Sequence, residues 1–141
     1  MESPGDLFAV WNTLHDGVID AVSGDVPGDL VITIGISYLC RVLPTQADQL
    51  RVTLRNCTMV RYEPFDEPPV HGTESLASLN IEVLSARRSG RAVEVVCTAG
   101  LLQLEYESVE VQLGEGATIS QDHLEVAAER YWREWEKKTR G

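Results

Sequence analysis

The segment 29–43, DLVITIGISYLCRVL, constrains the fold more than any other part of the chain. An apolar or aromatic residue or a cysteine occupies every second position from Leu30 to Val42, and the intervening positions include polar residues such as Thr33. Side chains of a strand alternate between the two faces of a sheet, so this pattern predicts one long strand with one buried face. Gly35 would allow this strand to bend, as a curled sheet requires.

Further strands are predicted on both sides of this segment. Turn-forming residues separate short runs rich in Val, Ile, Leu and Thr, and the last links (RRSG and AG) are tight, which is typical of an antiparallel meander. The apolar phase changes near Asn56, where we expect a bulge. The predicted strands are residues 18–22, 29–43, 49–62, 80–86, 92–98 and 101–113.

Both ends of the chain have helical periodicity. The N-terminal pattern ends near Gly17, whose missing Cβ suits a helix C-cap. Ser120 is a predicted N-cap of the C-terminal helix. The apolar positions of the first helix are Leu7, Val10, Trp11 and Leu14, and those of the second are Leu124, Ala128, Tyr131, Trp132 and Trp135. The second set forms one stripe, which we expect to pack on the sheet.

These elements predict an α+β fold. Its main part is an antiparallel β-meander of six to seven strands, curled into a half-barrel or barrel, with a short N-terminal helix and a C-terminal helix packed on the sheet. No repeat or linker divides the chain, so residues 1–141 are predicted to form a single domain.

The net charge of the chain favours some classes of binding partner over others. The formal net charge is −10 at pH 7, and such a field repels phosphate backbones, which argues against nucleic acid and favours a basic protein. No apolar run approaches the roughly 20 residues that span a bilayer. The N-terminus carries acids where a secretory signal carries Lys or Arg, so we expect a cytoplasmic protein without membrane contacts. Acidic composition is also common among bacterial cytosolic proteins.

The cysteines and the standard motifs give no sign of a cofactor. Cys40, Cys57 and Cys97 are odd in number and lack CxxC spacing, which argues against a disulfide framework and a zinc site. We expect three buried free thiols. No GxSxG, P-loop or GxGxxG motif occurs, so no cofactor and no metal are predicted.

The dipeptide His15-Asp16, followed by Gly17, is one candidate site. Helical phosphohydrolases bind metal through an HD dipeptide, but a metal site needs three or four converging ligands. Here the dipeptide supplies two at most. We therefore expect His15 and Asp16 to make contacts in the turn at the end of the first helix.

The long connection 63–79 is the second candidate site. Glu63, Asp66, Glu67 and His71 gather oxygen ligands and an imidazole around Phe65 and three prolines. Loops over the mouth of a barrel often carry ligand sites. Acids in a proline-rich loop are, however, usually only solvated. These residues are candidates for contact with a ligand or partner, and no catalytic residue is assigned among them.

The sequence LHDG before the first strand, the meander and the closing RYWREW helix resemble small uncharacterised bacterial β-rich families. Some of those families are immunity proteins of polymorphic toxin systems. The resemblance implies a stoichiometric protein inhibitor whose acidic surface blocks the basic active site of a toxin. It rests on general layout, so it assigns no functional residue.

Three functions follow from the sequence. The favoured one is a non-catalytic protein-binding module, of the immunity-protein kind or another. The second is a carrier with a small-ligand cavity inside the curled sheet. The third is an enzyme that uses the His15/Asp16 region or the Glu63–His71 loop. Because nothing in the sequence marks a catalytic group, a non-catalytic function is favoured over an enzyme.

Overall fold

The protein has an α+β fold with antiparallel sheets, as the sequence predicts. The computed structural model describes residues 6–43, 47–71, 76, 81–114 and 116–140. The helices are α1 (Asp6–Thr13), α2 (Ser37–Cys40) and α3 (Gln121–Arg140). The strands in the described ranges are β1 (Val18–Gly24), β2 (Gly28–Gly35), β3 (Gln49–Cys57), β4 (Met59–Pro64), β5 (Val70–His71), β6 (Val83–Ser89), β7 (Ala92–Cys97), β8 (Gly100–Glu105), β9 (Ser108–Leu113) and β10 (Thr118–Ile119).

These strands form two five-stranded sheets and not the single curled meander of six to seven strands that was predicted. The orders are β1-β2-β3-β9-β10 and β5-β4-β8-β7-β6. Each sheet contains a three-stranded meander, β1-β2-β3 or β6-β7-β8. The short turns predict the links within β6-β7-β8 and between β1 and β2, whereas residues 36–48, which include α2, join β2 to β3. The pairs β3-β9 and β4-β8 join segments that are distant in sequence. The described strands do not close into one barrel.

A corner connects the two sheets. The predicted strands 49–62 and 101–113 each prove to be two strands, one in each sheet. At the corner, residues 56–58 lie opposite only Tyr106 and Glu107. The extra residue fits the bulge expected near Asn56, which has a left-handed φ of 52°. The ladder continues through this corner, because the Thr58 N–H donates to Glu105 O at 2.8 Å and the Glu107 N–H to Arg55 O at 2.9 Å.

The prediction of one long strand over residues 29–43 is wrong beyond Gly35. The strand ends there, and the chain turns into α2. The buried residues after the strand are Ile36, Leu39, Cys40 and Leu43, which follow i, i+3, i+4, i+7 spacing. This segment therefore satisfies a helical period as well as an alternating one. Leu39 and Cys40, expected on opposite faces of a strand, are both buried because they lie on one face of a helical turn.

The core lies between the sheets and beneath α1. Large side chains occupy this space, among them Ile32, Ile34, Leu50 and Leu102, which are nearly inaccessible to solvent. From α1, Trp11 is fully buried and its indole Nε1 donates to the Tyr106 hydroxyl at 3.1 Å. This contact ties the first helix to the corner between the sheets.

The turn after α1 joins the edges of the two sheets. The Asp16 N–H donates to Val83 O at 2.7 Å, and the Val83 N–H donates to Gly17 O at 2.8 Å. Farther along β6, the Asn12 side-chain amide accepts from and donates to the Ala86 backbone at 2.9 and 3.2 Å. These contacts satisfy backbone groups that an edge strand would otherwise leave exposed.

The predicted role of Gly17 as the left-handed cap is wrong in detail. The left-handed residue is Asp16, with φ of 70°. Gly17 is required for a different reason, because a Cβ there would lie 2.6 Å from the Ile34 Cγ2 atom and 3.0 Å from Leu14 O. The turn thus brings the backbone directly against the buried face of β2.

All three cysteines are free and buried, as predicted. Cys57 and Cys97 end strands β3 and β7, whereas Cys40 lies in α2 and not in a strand. Among the helices of the described ranges, none combines the length and apolar character needed to cross a bilayer.

Candidate functional site

A group of five rings lies where α3 passes α2 and the turn after α1. We call His15, Tyr38, Tyr131, Trp132 and Trp135 the aromatic cluster. Trp132 is at its centre, with ring centroids 6.0 Å from His15, 5.6 Å from Tyr38, 5.1 Å from Tyr131 and 6.0 Å from Trp135. Tyr38 and Tyr131 are 4.5 Å apart. These separations are typical of interacting aromatic pairs.

Helix α3 presents this cluster at the protein surface. Its N-terminus is capped as predicted, since the His123 N–H donates to Ser120 Oγ at 3.1 Å. The residues of the apolar stripe then become less buried from the N-terminal to the C-terminal part of the helix. Leu124 is fully buried, Trp132 is partly buried, and 49% of Trp135 is exposed.

The expectation that the three aromatic residues of α3 anchor it on the sheet therefore needs correction. The buried anchors are Leu124, Ala127 and Ala128, and the main neighbours of α3 are α1 and α2. Trp132 contributes to packing through the other rings of the aromatic cluster. The exposed fraction of Trp135 shows that the apolar stripe continues beyond the elements that cover it.

His15 is held by two polar contacts. Its Nδ1 lies 2.6 Å from Leu84 O, and because a carbonyl oxygen can only accept, Nδ1 carries the hydrogen. Its Nε2 lies 3.3 Å from Asp16 Oδ1, and both side chains are about two-fifths exposed. The dipeptide thus makes turn and strand-edge contacts. In the described ranges, no group of three or more His, Cys, Asp or Glu side chains is arranged to hold a metal ion.

Tyr38 links α2 to this turn. Its hydroxyl donates a short hydrogen bond to the backbone carbonyl of His15. Burial raises the pKa of Tyr38 above its ordinary value, and the negative charge of Asp16 and the neighbouring Tyr131 raise it further. Tyr38 therefore stays protonated and acts as a donor over the whole neutral range.

An open groove of about 670 Å³ adjoins the aromatic cluster between α1 and α3. Residues Asn12 and Thr13 form one wall, and Trp132 forms part of the other. The remaining lining residues are Glu125, Ala128, Glu129, Arg133 and Glu136. Among the described lining residues, three carboxylates therefore face this groove against one guanidinium.

The second predicted site, Glu63–His71, is mostly a hairpin and not a lid. Glu63 belongs to β4 and pairs with Arg61 at 2.9 Å. The backbone of His71 is in β5 opposite Arg61, but its side chain lies outside the described part of the structure. Asp66 and Glu67 are solvent-exposed and border a small groove of about 210 Å³. Phe65, at the hairpin turn, is 61% exposed.

The two predicted sites lie at opposite edges of one sheet. The hairpin adjoins β4, His15 contacts β6, and β8 and β7 lie between them. At about 4.8 Å between neighbouring strands, three spacings amount to roughly 14 Å. The fold does not combine their acids and imidazoles into one constellation.

The buried thiols are poorly suited to nucleophilic chemistry. Burial raises the pKa of Cys97 to about 12 and also raises the pKa of Cys57. The thiolate is the reactive form of cysteine, so both side chains remain protonated and unreactive near neutral pH.

Comparison of the chain with protein-family models, curated proteins and solved structures gave no match.

The aromatic surface and its groove were not predicted as a site. In the sequence, Tyr131, Trp132 and Trp135 share a stripe with Leu124 and Ala128, which favoured core packing for all of them. A signal was present in the same residues. The stripe carries its aliphatic residues first and its aromatic rings last, where Arg and Glu residues surround them. Aromatic residues with charged neighbours are typical of interface patches.

Proposed function

We propose that the protein is a non-catalytic protein-binding module, whose docking surface is the aromatic cluster with the adjoining groove. The observation that carries this proposal is the exposed Trp135 ring, next to partly buried Tyr131 and Trp132. Tryptophan and tyrosine are enriched among the residues that dominate binding energy, and such anchors are surrounded by polar rims.

The charge of the chain supports a basic partner. Its net charge of −10 accelerates encounter with a positively charged protein and disfavours acidic competitors. A stoichiometric inhibitor of a basic protein would use a surface of this kind, and immunity proteins with that function occur among the bacterial β-rich families whose layout the sequence resembles. The five rings brace one another, which reduces the entropy lost when they are ordered on binding.

The two other functions have less support. A carrier needs a hollow between its sheets, whereas large buried side chains such as Ile32 and Leu102 occupy that space. An enzyme would need a converging set of catalytic groups, and the two candidate regions do not supply one together, because the His15/Asp16 turn and the Glu63–His71 hairpin are separated by two strands. We therefore retain the protein-binding function.

Two exposed aromatic residues allow a matched test. Trp135 belongs to the aromatic cluster, and Phe65 belongs to the competing hairpin site. The tagged full chain, Trp135→Ala and Phe65→Ala would each be used to isolate binding proteins from the cells that make this chain. We expect a partner that is retained by the wild type and Phe65→Ala and lost with Trp135→Ala.

The partner would then be purified and titrated into the chain by calorimetry. We expect one-to-one stoichiometry and an affinity that decreases as salt increases, because attraction between opposite charges is screened. Binding that is lost with Phe65→Ala and unchanged with Trp135→Ala would transfer the site to the hairpin and overturn the proposed surface.

A further inference from the structure

The carboxylates of the groove lie in one row along α3. Glu125, Glu129, Trp132 and Glu136 are spaced by four, three and four residues, which places them on one stripe of a helix. From the first to the last, the stripe extends about 16 Å at 1.5 Å per residue. An extended peptide of roughly five residues covers the same length at about 3.3 Å per residue. We call this row the acidic stripe.

The charged residues of the acidic stripe differ in the hydrogen bonds and ion pairs that they form. Glu125 accepts a hydrogen bond from Gln121 at 3.1 Å, and Gln121 also donates to Thr13 at 3.0 Å, which links α3 to α1. Glu129 forms no hydrogen bond or ion pair with the side chains that the structure describes. By contrast, Glu134, on another face of α3, pairs with Arg130 at 3.5 Å.

Among the side chains that the structure describes, Arg133 is the only cation that lines the groove. It follows Glu129 by four residues, a spacing that allows an ion pair on a helix, yet the two side chains do not pair within 4.0 Å. The groove thus keeps an excess of negative charge beside the wall formed by Trp132. A carboxylate next to an indole is a favourable arrangement for a cation, since the ring face attracts positive charge and the carboxylate pairs with it.

We infer that the acidic stripe binds a short basic segment of the partner protein, with an arginine side chain placed on Trp132 and paired with Glu129. Arginine fits better than lysine because its planar guanidinium can stack on the indole while it bonds a carboxylate in its own plane. The inference rests on the proposed function, since it identifies the part of the partner that this surface recognises. Charge complementarity is what selects this occupant.

The test uses the full chain and labelled pentapeptides. One contains two arginines, a second has lysine at those positions, and a third has glutamate. Binding would be measured by fluorescence anisotropy at low and at high salt. We expect affinity in the order arginine, lysine, glutamate, and a decrease at high salt.

Two glutamates of the same helix provide matched variants. Glu129→Gln should weaken binding of the arginine peptide about threefold to tenfold, whereas Glu134→Gln, which changes the same charge outside the groove, should alter it less than twofold. Arg133→Gln should strengthen binding, because it removes the competing cation. Circular dichroism would verify that the variants remain folded.

Equal losses from Glu129→Gln and Glu134→Gln would mean that the peptide responds only to overall charge, and this would refute the acidic stripe. Failure of the arginine peptide to bind would also refute it. In both cases loss of the partner with Trp135→Ala would leave the proposed function standing. If instead the peptide bound as expected but Trp135→Ala left the partner bound, the proposed aromatic docking surface would be wrong and the acidic stripe would remain.

Discussion

Replacing Trp132 by alanine should destabilise the fold by an intermediate amount. Trp132 packs on four rings from three places in the chain: the turn after α1, α2 and α3 itself. Its removal would therefore loosen the packing of α3 against the other two. The side chain is only partly buried, so it gains less from exclusion of water than a core residue does.

The expected loss of unfolding free energy follows from comparison of Trp132 with the other two tryptophans, Trp11 and Trp135. Truncating a fully buried aromatic residue to alanine costs about 3–5 kcal/mol, and this range applies to Trp11. Individual aromatic pairs contribute about 0.5–1.5 kcal/mol beyond the burial of area. With partial burial and four ring contacts, Trp132→Ala should cost about 2–3 kcal/mol. Trp135→Ala should cost less than about 1 kcal/mol, as substitutions at exposed positions usually do.

Chemical denaturation of the three alanine variants tests this order. The unfolding midpoint should fall most for Trp11→Ala, less for Trp132→Ala and least for Trp135→Ala, with similar denaturant slopes. A Trp132→Ala midpoint equal to that of the wild type would show that the aromatic cluster contributes nothing to folding. A Trp135→Ala loss as large as that of Trp11→Ala would show that Trp135 is buried, and it would remove the basis of the proposed docking surface.

Three further predictions concern packing in the turn after α1, in α2 and in the core. Gly17→Ala should cost about 1–3 kcal/mol of unfolding free energy, because the new methyl would lie 2.6 Å from Ile34 Cγ2; a neutral effect in thermal unfolding would contradict the close approach. The pKa of Tyr38 is higher in the folded state than in the unfolded state, so the folded state binds the hydroxyl proton more tightly. The resulting stability is present below about pH 10 and is lost as the pH rises above it. Tyr38→Phe should reduce this loss of unfolding free energy at alkaline pH, measured by denaturation, and an unchanged loss would refute the assignment. Cys97, with a pKa raised to about 12, should react with a thiol reagent at pH 8 only when the protein unfolds, whereas rapid labelling of the native protein would contradict its burial.

Local patterns in the sequence were sufficient for much of the fold. Alternation and tight turns predicted the meander β6-β7-β8 and the pair β1-β2, because neighbouring strands there are joined by short links. Alternation also predicted the segments of β2 and β3, although residues 36–48 separate these two strands. Helical periodicity and the Ser120 cap predicted α3. Each of these inferences depends on residues that are close in sequence, so a single chain contains the necessary information.

The division into two sheets depends on contacts between distant residues and was not predicted. At the corner, residues 56–58 and the pair Tyr106 and Glu107 continue the alternating pattern closely enough to resemble uninterrupted strands. The phase change near Asn56 indicated an irregularity, but an irregularity is compatible with a bulge in one sheet as well as with a corner between two. The pairing of β3 with β9 on one side of the corner and of β4 with β8 on the other decides between them.

The aromatic surface was missed because periodicity identifies the buried face of a helix but not the length over which it is covered. Helix α3 has 20 residues and extends about 30 Å, whereas α1 has eight and extends about 12 Å. The longer helix therefore continues past its support. Its stripe is covered fully at Leu124, partly at Trp132 and about half at Trp135. Where an apolar stripe extends beyond the elements that cover it, its apolar residues are exposed to solvent. This stripe carries its largest rings at the exposed end. That distribution supports the proposed docking surface, because contiguous exposed apolar residues with a polar rim often mark interaction sites.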